Sequence, residues 1–121
     1  MTDEKLIVWV GSSLKDLRAL PDKPRRDIGF ALAEVQEGGY PDSAKPLKGK
    51  GFSGVYELRA DADGDTYRAV YAVNIGSHIY ALHVFQKKSK RGIETPKADI
   101  DKIRERLKRT HEIAKELEHD K

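Results

Sequence analysis

Four basic side chains, set at matched positions along three apolar runs, carry the chemical interest of this sequence. Arg59 ends the run Gly54-Val-Tyr-Glu-Leu-Arg59, Arg68 lies in Thr66-Tyr-Arg-Ala-Val-Tyr-Ala-Val73, and His83 lies in His78-Ile-Tyr-Ala-Leu-His-Val-Phe85, with Lys87 just beyond. Side chains alternate between the faces of a strand, so parity decides which of them share a surface. Tyr56 and Leu58 take one face and Glu57 and Arg59 the other. Tyr67, Ala69, Tyr71 and Val73 form an apolar set, with Arg68 opposite beside Val70 and Ala72. Tyr80, Leu82 and Val84 oppose His83, Phe85 and Lys87. One face is thus expected to pack on helices, and the other to gather Arg59, Arg68, His83 and Lys87 into a basic pocket.

Such a surface suits a phosphodiester, because guanidinium forks bind phosphate oxygens bidentately and stabilise charge as it develops. It carries no paired carboxylates or thiols for glycoside, peptide or thiol chemistry. With RNA as substrate the nucleophile need not come from the protein. The 2′-hydroxyl attacks the adjacent phosphorus once a general base removes its proton. Arg68 is the candidate for the scissile phosphate, with Arg59 or Lys48 sharing the charge; an ion pair with Glu57 on the neighbouring strand is its structural alternative. Lys87, Lys88, His83 and Glu57 compete for proton transfer. A lysine crowded by cations loses its ammonium form more readily, whereas His83 has the more convenient intrinsic pKa. Phe85 offers a face for a base or a place in the core.

The turns that align these strands are explicit. Asp61-Ala-Asp-Gly-Asp65 and Asn74-Ile-Gly-Ser77 supply the residues that tight hairpins require, which predicts an antiparallel meander. Upstream, Lys5-Leu-Ile-Val-Trp-Val10 reads as a short strand joining that sheet. A helix over 14–20 follows, capped by Ser12 or Ser13 and stopped by Pro21. A second begins at Asp22, with Pro24 in its first turn, presents Ile28, Ala31, Leu32 and Val35 as one stripe, and ends at Gly38-Gly39. Residues 40–51 lack periodicity and read as a loop. Thr95 and Pro96 start a last helix, from about Lys97 to about Leu117, with Ile100, Ile103, Leu107, Ala114 and Leu117 along one stripe. The expectation is a single α+β domain over 1–121, in the order β-α-α-β-β-β-α.

Composition bounds the rest. The 121 residues include no cysteine, which excludes disulfides and thiolate catalysis, and the four histidines lack metal-ligand spacing, so neither a metal nor another cofactor is expected. No apolar run is long enough to span a bilayer and the amino terminus has no signal-peptide order, so a cytoplasmic protein without a membrane partner is expected. The net charge of +3 favours an anionic partner only weakly. Its distribution is more telling: Lys45, Lys48 and Lys50 precede the meander, and Lys87, Lys88, Lys90 and Arg91 follow it.

Lys45-Pro-Leu-Lys-Gly-Lys50, the Glu-Leu-Arg59 and Tyr67-Arg68-Ala-Val-Tyr71 segments, Ala81-Leu-His-Val-Phe-Gln-Lys-Lys88 and Thr95-Pro96 together resemble the RelE/ParE toxin superfamily, and within it the phage-derived, HigB-like (gp-forty-nine-like) group. The resemblance runs from about Leu20 through Arg106. It implies a RelE-like fold and a type II toxin that cleaves mRNA without metal, usually on the ribosome. It also implies an antitoxin with a helix-turn-helix DNA-binding domain. Arg68 matches the family's phosphate-contacting arginine, Arg59 the arginine of Glu-Leu-Arg, and Lys87 falls near the strand-end position of a catalytic basic residue. Lys48 and Lys50 fall in a loop that carries substrate-contacting lysines in relatives, and Lys90 and Arg91 extend the basic run after Lys87-Lys88. Several ribosome-dependent members carry a catalytic tyrosine near the end, whereas no tyrosine follows Arg91 here. The alternative is therefore a non-catalytic relative: a ParE-like gyrase inhibitor, or a module that only binds an antitoxin or RNA.

Overall fold

The structure, a computed structural model, describes residues 4–87 and 95–119. Its elements are β1 (Ile7–Trp9), α1 (Ser13–Arg18), α2 (Asp22–Gln36), β2 (Ala44–Pro46), β3 (Val55–Ala62), β4 (Asp65–Ile75), β5 (His78–Lys87) and α3 (Lys97–His119). They build a five-stranded sheet in the order β1-β5-β4-β3-β2. β1 pairs parallel with β5, and the other neighbours are antiparallel.

Local chemistry accounts for most of this. Asp63 and Gly64, at φ 52° and 84°, form the tight two-residue connection that the Asp-Gly pair predicts, so β3 and β4 run on through Asp61 and Asp65. The α2 stripe is buried at Ile28, Leu32 and Val35 beneath Leu58, Ala60, Tyr67, Ala69 and Tyr71 of the meander. Caps shift by a residue: Pro21, not Asp22, occupies the cap position of α2, and the Ser12 hydroxyl donates to the Asp16 carboxylate. In α3 the Pro96 carbonyl receives the first helical N–H groups, from Asp99 and Ile100.

Two expectations are corrected. The segment read as a featureless loop contains β2, which adds an edge to β3 through Ala44, Lys45 and Pro46. Three residues with two prolines nearby carry no period, so only pairing reveals the strand. The alternation assigned to β5 also breaks. Val70 pairs with His83 but Tyr71 pairs with Ala81, which leaves Leu82 as an extra residue in a bulge. Tyr80 and Leu82 therefore turn to the same side as His83 and Phe85, while Ile79 and Val84 join the α1–α2 side.

That side is not an open basic face. α3 lies across it, and Ile103 and Ala114 pack on Val55, Val70, Ala72, Tyr80, Leu82 and Phe85 in a second core. Arg106 locks the helix down: its Nη1 donates to the carbonyl of the bulged Leu82 at 2.9 Å and its Nη2 to the Ser12 hydroxyl at 2.9 Å. The carbonyl of the bulged residue thereby receives a side-chain donor from the helix. No described helix is long and apolar enough to cross a membrane.

Candidate functional site

The bulge and α3 confine the exposed polar surface to one end of the sheet, where β2, β3, β4 and the end of β5 meet the start of α3. Register places Glu57 opposite Lys45 and Val70, Arg59 opposite Arg68, and Arg68 opposite Phe85. Arg68 does not extend into solvent. Its Nη1 donates to both Glu57 carboxylate oxygens, at 2.8 and 2.9 Å, and its side chain is 2% exposed. Lys45 reaches the same carboxylate at 3.3 Å from the solvent side, and the Thr95 hydroxyl lies 3.5 Å from Glu57 Oε2. Arg68 Nε is buried without a hydrogen-bond acceptor among the described residues. The ion pair given above as the structural alternative for Arg68 is the arrangement found. A carboxylate on the adjacent strand is closer than solvent, and it offsets the like charge of Arg59 directly across.

Lys87 is brought to this cluster at the end of β5. Burial lowers the ammonium's pKa, and the charges of Arg68, Lys45 and Arg59 push the same way against Glu57. Arg59 projects outward, half-exposed, and meets Asp61 at 3.2 Å. Lys48 and Lys50 are exposed in the loop after β2. Lys88, Lys90 and Arg91 lie outside the described residues.

His83 and Phe85 are placed elsewhere than a substrate contact requires. Their rings stack on each other with centroids 4.6 Å apart, both belong to the buried set, and His83 Nε2 meets Asp99 Oδ1 at 2.7 Å. Burial pushes the imidazole's pKa down and Asp99 opposes that shift. The pair links β5 to the first turn of α3, which is a packing role. Among the described residues no group of three or more His, Asp or Glu gathers as a metal site.

Beside Glu57 opens a cleft of about 370 Å³, within the size range of small-ligand sites, roughly 300–1,000 Å³. Lys45, Lys48, Thr95 and Arg104 supply its polar lining, and Leu47, Phe52 and Ile100 its apolar wall. Arg104 and Phe52 escape a reading of the sequence. Arg104 sits among the charges of an amphipathic helix, and only its position one turn after Ile100 hints that it flanks the buried stripe. The cleft presents three cations against a carboxylate that Arg68 already neutralises, so it attracts anions. Glu57, held by the buried Arg68, lines one side of it, and Lys87 is the titratable group next to that pair.

No curated protein matches the chain. Among solved structures, a double-arginine mutant of the E. coli toxin RelE in the free state shares 19% identity and aligns at a TM-score of 0.57 over 88% of this chain and 97% of that one. This likeness establishes a RelE-like fold. A toxin–antitoxin complex, RelBE2 of Mycobacterium tuberculosis, aligns at 20% identity and a TM-score of 0.48, covering 69% of this chain and 98% of that one. Residues 15–108, which hold most of α1, all of α2 and the meander, and the first half of α3, match the family described as phage derived protein Gp49-like, and the chain belongs to that family.

Proposed function

We propose that the protein is the toxin of a type II toxin–antitoxin pair and acts as a metal-independent mRNA endoribonuclease in the cytoplasm, on ribosome-associated message. The observation that carries this reading is the placement of Lys87 against Arg68, Glu57, Lys45 and Arg59, where its ammonium is destabilised beside an anion-attracting cleft. A neutral Lys87 amine takes the proton of the substrate 2′-hydroxyl. The resulting oxygen attacks the adjacent phosphorus, the bond to the 5′-oxygen breaks, and that oxygen takes a proton from solvent water and leaves as a 5′-hydroxyl, while Lys87 returns its proton to solvent and the other fragment ends in a 2′,3′-cyclic phosphate. Arg59, Lys45 and Lys48 take the charge that develops on the phosphate oxygens. Arg68, anchored by Glu57, contributes a fixed positive field and holds the floor in place. A helix-turn-helix antitoxin encoded beside the toxin neutralises it by covering the cleft.

Induced expression in a growing bacterial host tests this. Wild type is expected to arrest growth and translation and to leave cut messages, and folded Lys87→Ala to do neither. Arrest with intact mRNA and inhibited supercoiling would refute the nuclease reading. One observation favours the non-catalytic alternative: the Arg68 guanidinium is 2% exposed and already engaged by a carboxylate, so it enters no direct contact with phosphate unless Glu57 lets go. A toxin that acts by binding without turnover would show growth arrest that survives Lys87→Ala, and a module that only binds an antitoxin would show none in wild type.

A further inference from the structure

Arg104 is held in a way that its place in a solvated helix does not require. Its guanidinium carbon lies 4.4 Å from the centroid of the Phe52 ring, and Nη1 donates to the Lys50 carbonyl at 2.7 Å. The cation is thus seated over a buried aromatic ring and tied at Nη1 to the loop backbone, yet the residue as a whole remains exposed and lines the cleft beside Lys48 and Lys45. A long side chain freely solvated would lose its rotamer entropy on binding any ligand. Here that loss has already occurred, and cation–π contact keeps the plane in position. An arginine plane with one face free is a stacking surface for an unpaired nucleobase, and lysines alongside it suit the connecting phosphate.

We infer that the Phe52–Arg104 pair is a base-stacking platform for a single unpaired nucleotide of the RNA, with Lys48 at its phosphate. The inference rests on the RNA reading of the neighbouring Lys87–Glu57–Arg68 cluster and adds to it a binding position that α3, rather than the meander, supplies. The platform takes any base, because every base has a π-face, so it sets where the strand lies and not which sequence is cut. The Lys48–Phe52 loop and the start of α3 act as one unit in binding.

The test uses the whole protein and a labelled RNA tetranucleotide with 2′-O-methyl groups throughout, which cannot be cut, together with the same oligonucleotide lacking one base at each position in turn. Wild type should bind the intact form about tenfold more tightly than one particular abasic form, the loss typical of removing one stacked base. Arg104→Ala should weaken intact RNA by about the same factor and show no further loss with that abasic form. Arg104→Lys keeps the charge without the plane and should resemble Arg104→Ala in this coupling. A role confined to holding the loop would instead weaken intact and abasic RNA equally for every position, and that result overturns the platform. So does unchanged RNA affinity in Arg104→Ala, including the case where antitoxin binding is lost, which would give the cleft to an acidic protein segment. Failure of wild type to bind RNA at all removes the platform and the RNA reading together. Cleavage of an unmodified RNA reports separately: base-coupled binding without cleavage leaves the platform standing and removes the nuclease.

Discussion

Arg68 turns away from its direct register partner Arg59 and places Nη1 between the two carboxylate oxygens of Glu57, at 2.8 and 2.9 Å, with both side chains almost wholly buried. The pair forms the rigid base of the candidate site, and its two members are not equivalent. Glu57 has a second cation in Lys45, which is half-exposed, whereas among the described residues Arg68 meets no acceptor other than Glu57 and its Nε has none.

Glu57→Ala should therefore destabilise more than Arg68→Ala, since breaking a buried pair from one side costs about 3–5 kcal/mol and the cost rises with how completely the remaining charge is stranded. Urea midpoints at unchanged m-value measure this. The double variant Glu57→Leu with Arg68→Met should recover part of the loss, because it strands neither charge. Equal losses in the two single variants would show that Lys45 does not compensate Glu57. The same asymmetry means that an inactive Arg68→Ala protein says nothing about catalysis until its fold has been checked.

Under the proposed nuclease function, Lys87 sets the expected pH response of cleavage. Its ammonium is destabilised first by burial and then by Arg68, with Glu57 opposing. A base must be neutral to act, so single-turnover cleavage should rise with pH through the lowered pKa and level above it. Glu57→Gln removes the group that favours the ammonium, and the rising limb should move to lower pH in that variant. Lys87→Ala should lose about 10²–10⁴ in rate together with the pH-dependent limb. A limb that stays in place in Glu57→Gln would detach Lys87 from the chemistry.

His83 should make the fold acid-sensitive. Burial holds the imidazole's pKa below its ordinary value, and the Asp99 carboxylate at 2.7 Å offsets part of that. Below about pH 6.5 the unfolded chain therefore binds more protons than the folded one. Stability is full above that value and is lost as pH falls through the folded pKa. Melting temperatures between pH 5 and 8 should fall on the acid side in wild type and vary less in His83→Asn. An acid loss that persists unchanged in His83→Asn would place the sensitivity elsewhere.

Gly54 and Gly64 separate conformational strain from crowding. Both have positive φ, +76° and +84°, but a Cβ at Gly54 would lie 2.9 Å from the Val73 carbonyl oxygen, whereas none of the surroundings comes within 4 Å at Gly64. Gly64→Ala should cost about 1–2 kcal/mol, the ordinary penalty of a left-handed conformation. Gly54→Ala should cost more, because backbone rather than a flexible side chain must move at the entry to β3. Thermal melts of the two variants provide the comparison.

The Asp63-Gly64 turn, the Ile28, Leu32 and Val35 stripe, and the sidedness of Glu57, Arg59 and Arg68 each follow from residues within a few positions of one another. β2 and the β5 bulge were hidden, because three unpatterned residues become a strand only by pairing with β3, and an inserted residue such as Leu82 leaves the pattern of apolar letters unchanged. The Arg104–Phe52 contact was hidden for a related reason: a charge on a long helix looks solvated until the chain brings Phe52 beneath it.

The amino-acid sequence by itself determined that basic residues cluster on one side of an antiparallel meander, since hairpin turns and side-chain alternation are short-range properties of the backbone. Which of those residues remain open to a ligand was decided by the tertiary structure alone. Burial depends on what covers a face, and here α3, distant in the chain, covers His83 and Phe85. Glu57 draws Arg68 inward, Lys45, Lys48 and Arg104 are left around the cleft, and Lys87 stands beside the Glu57–Arg68 pair.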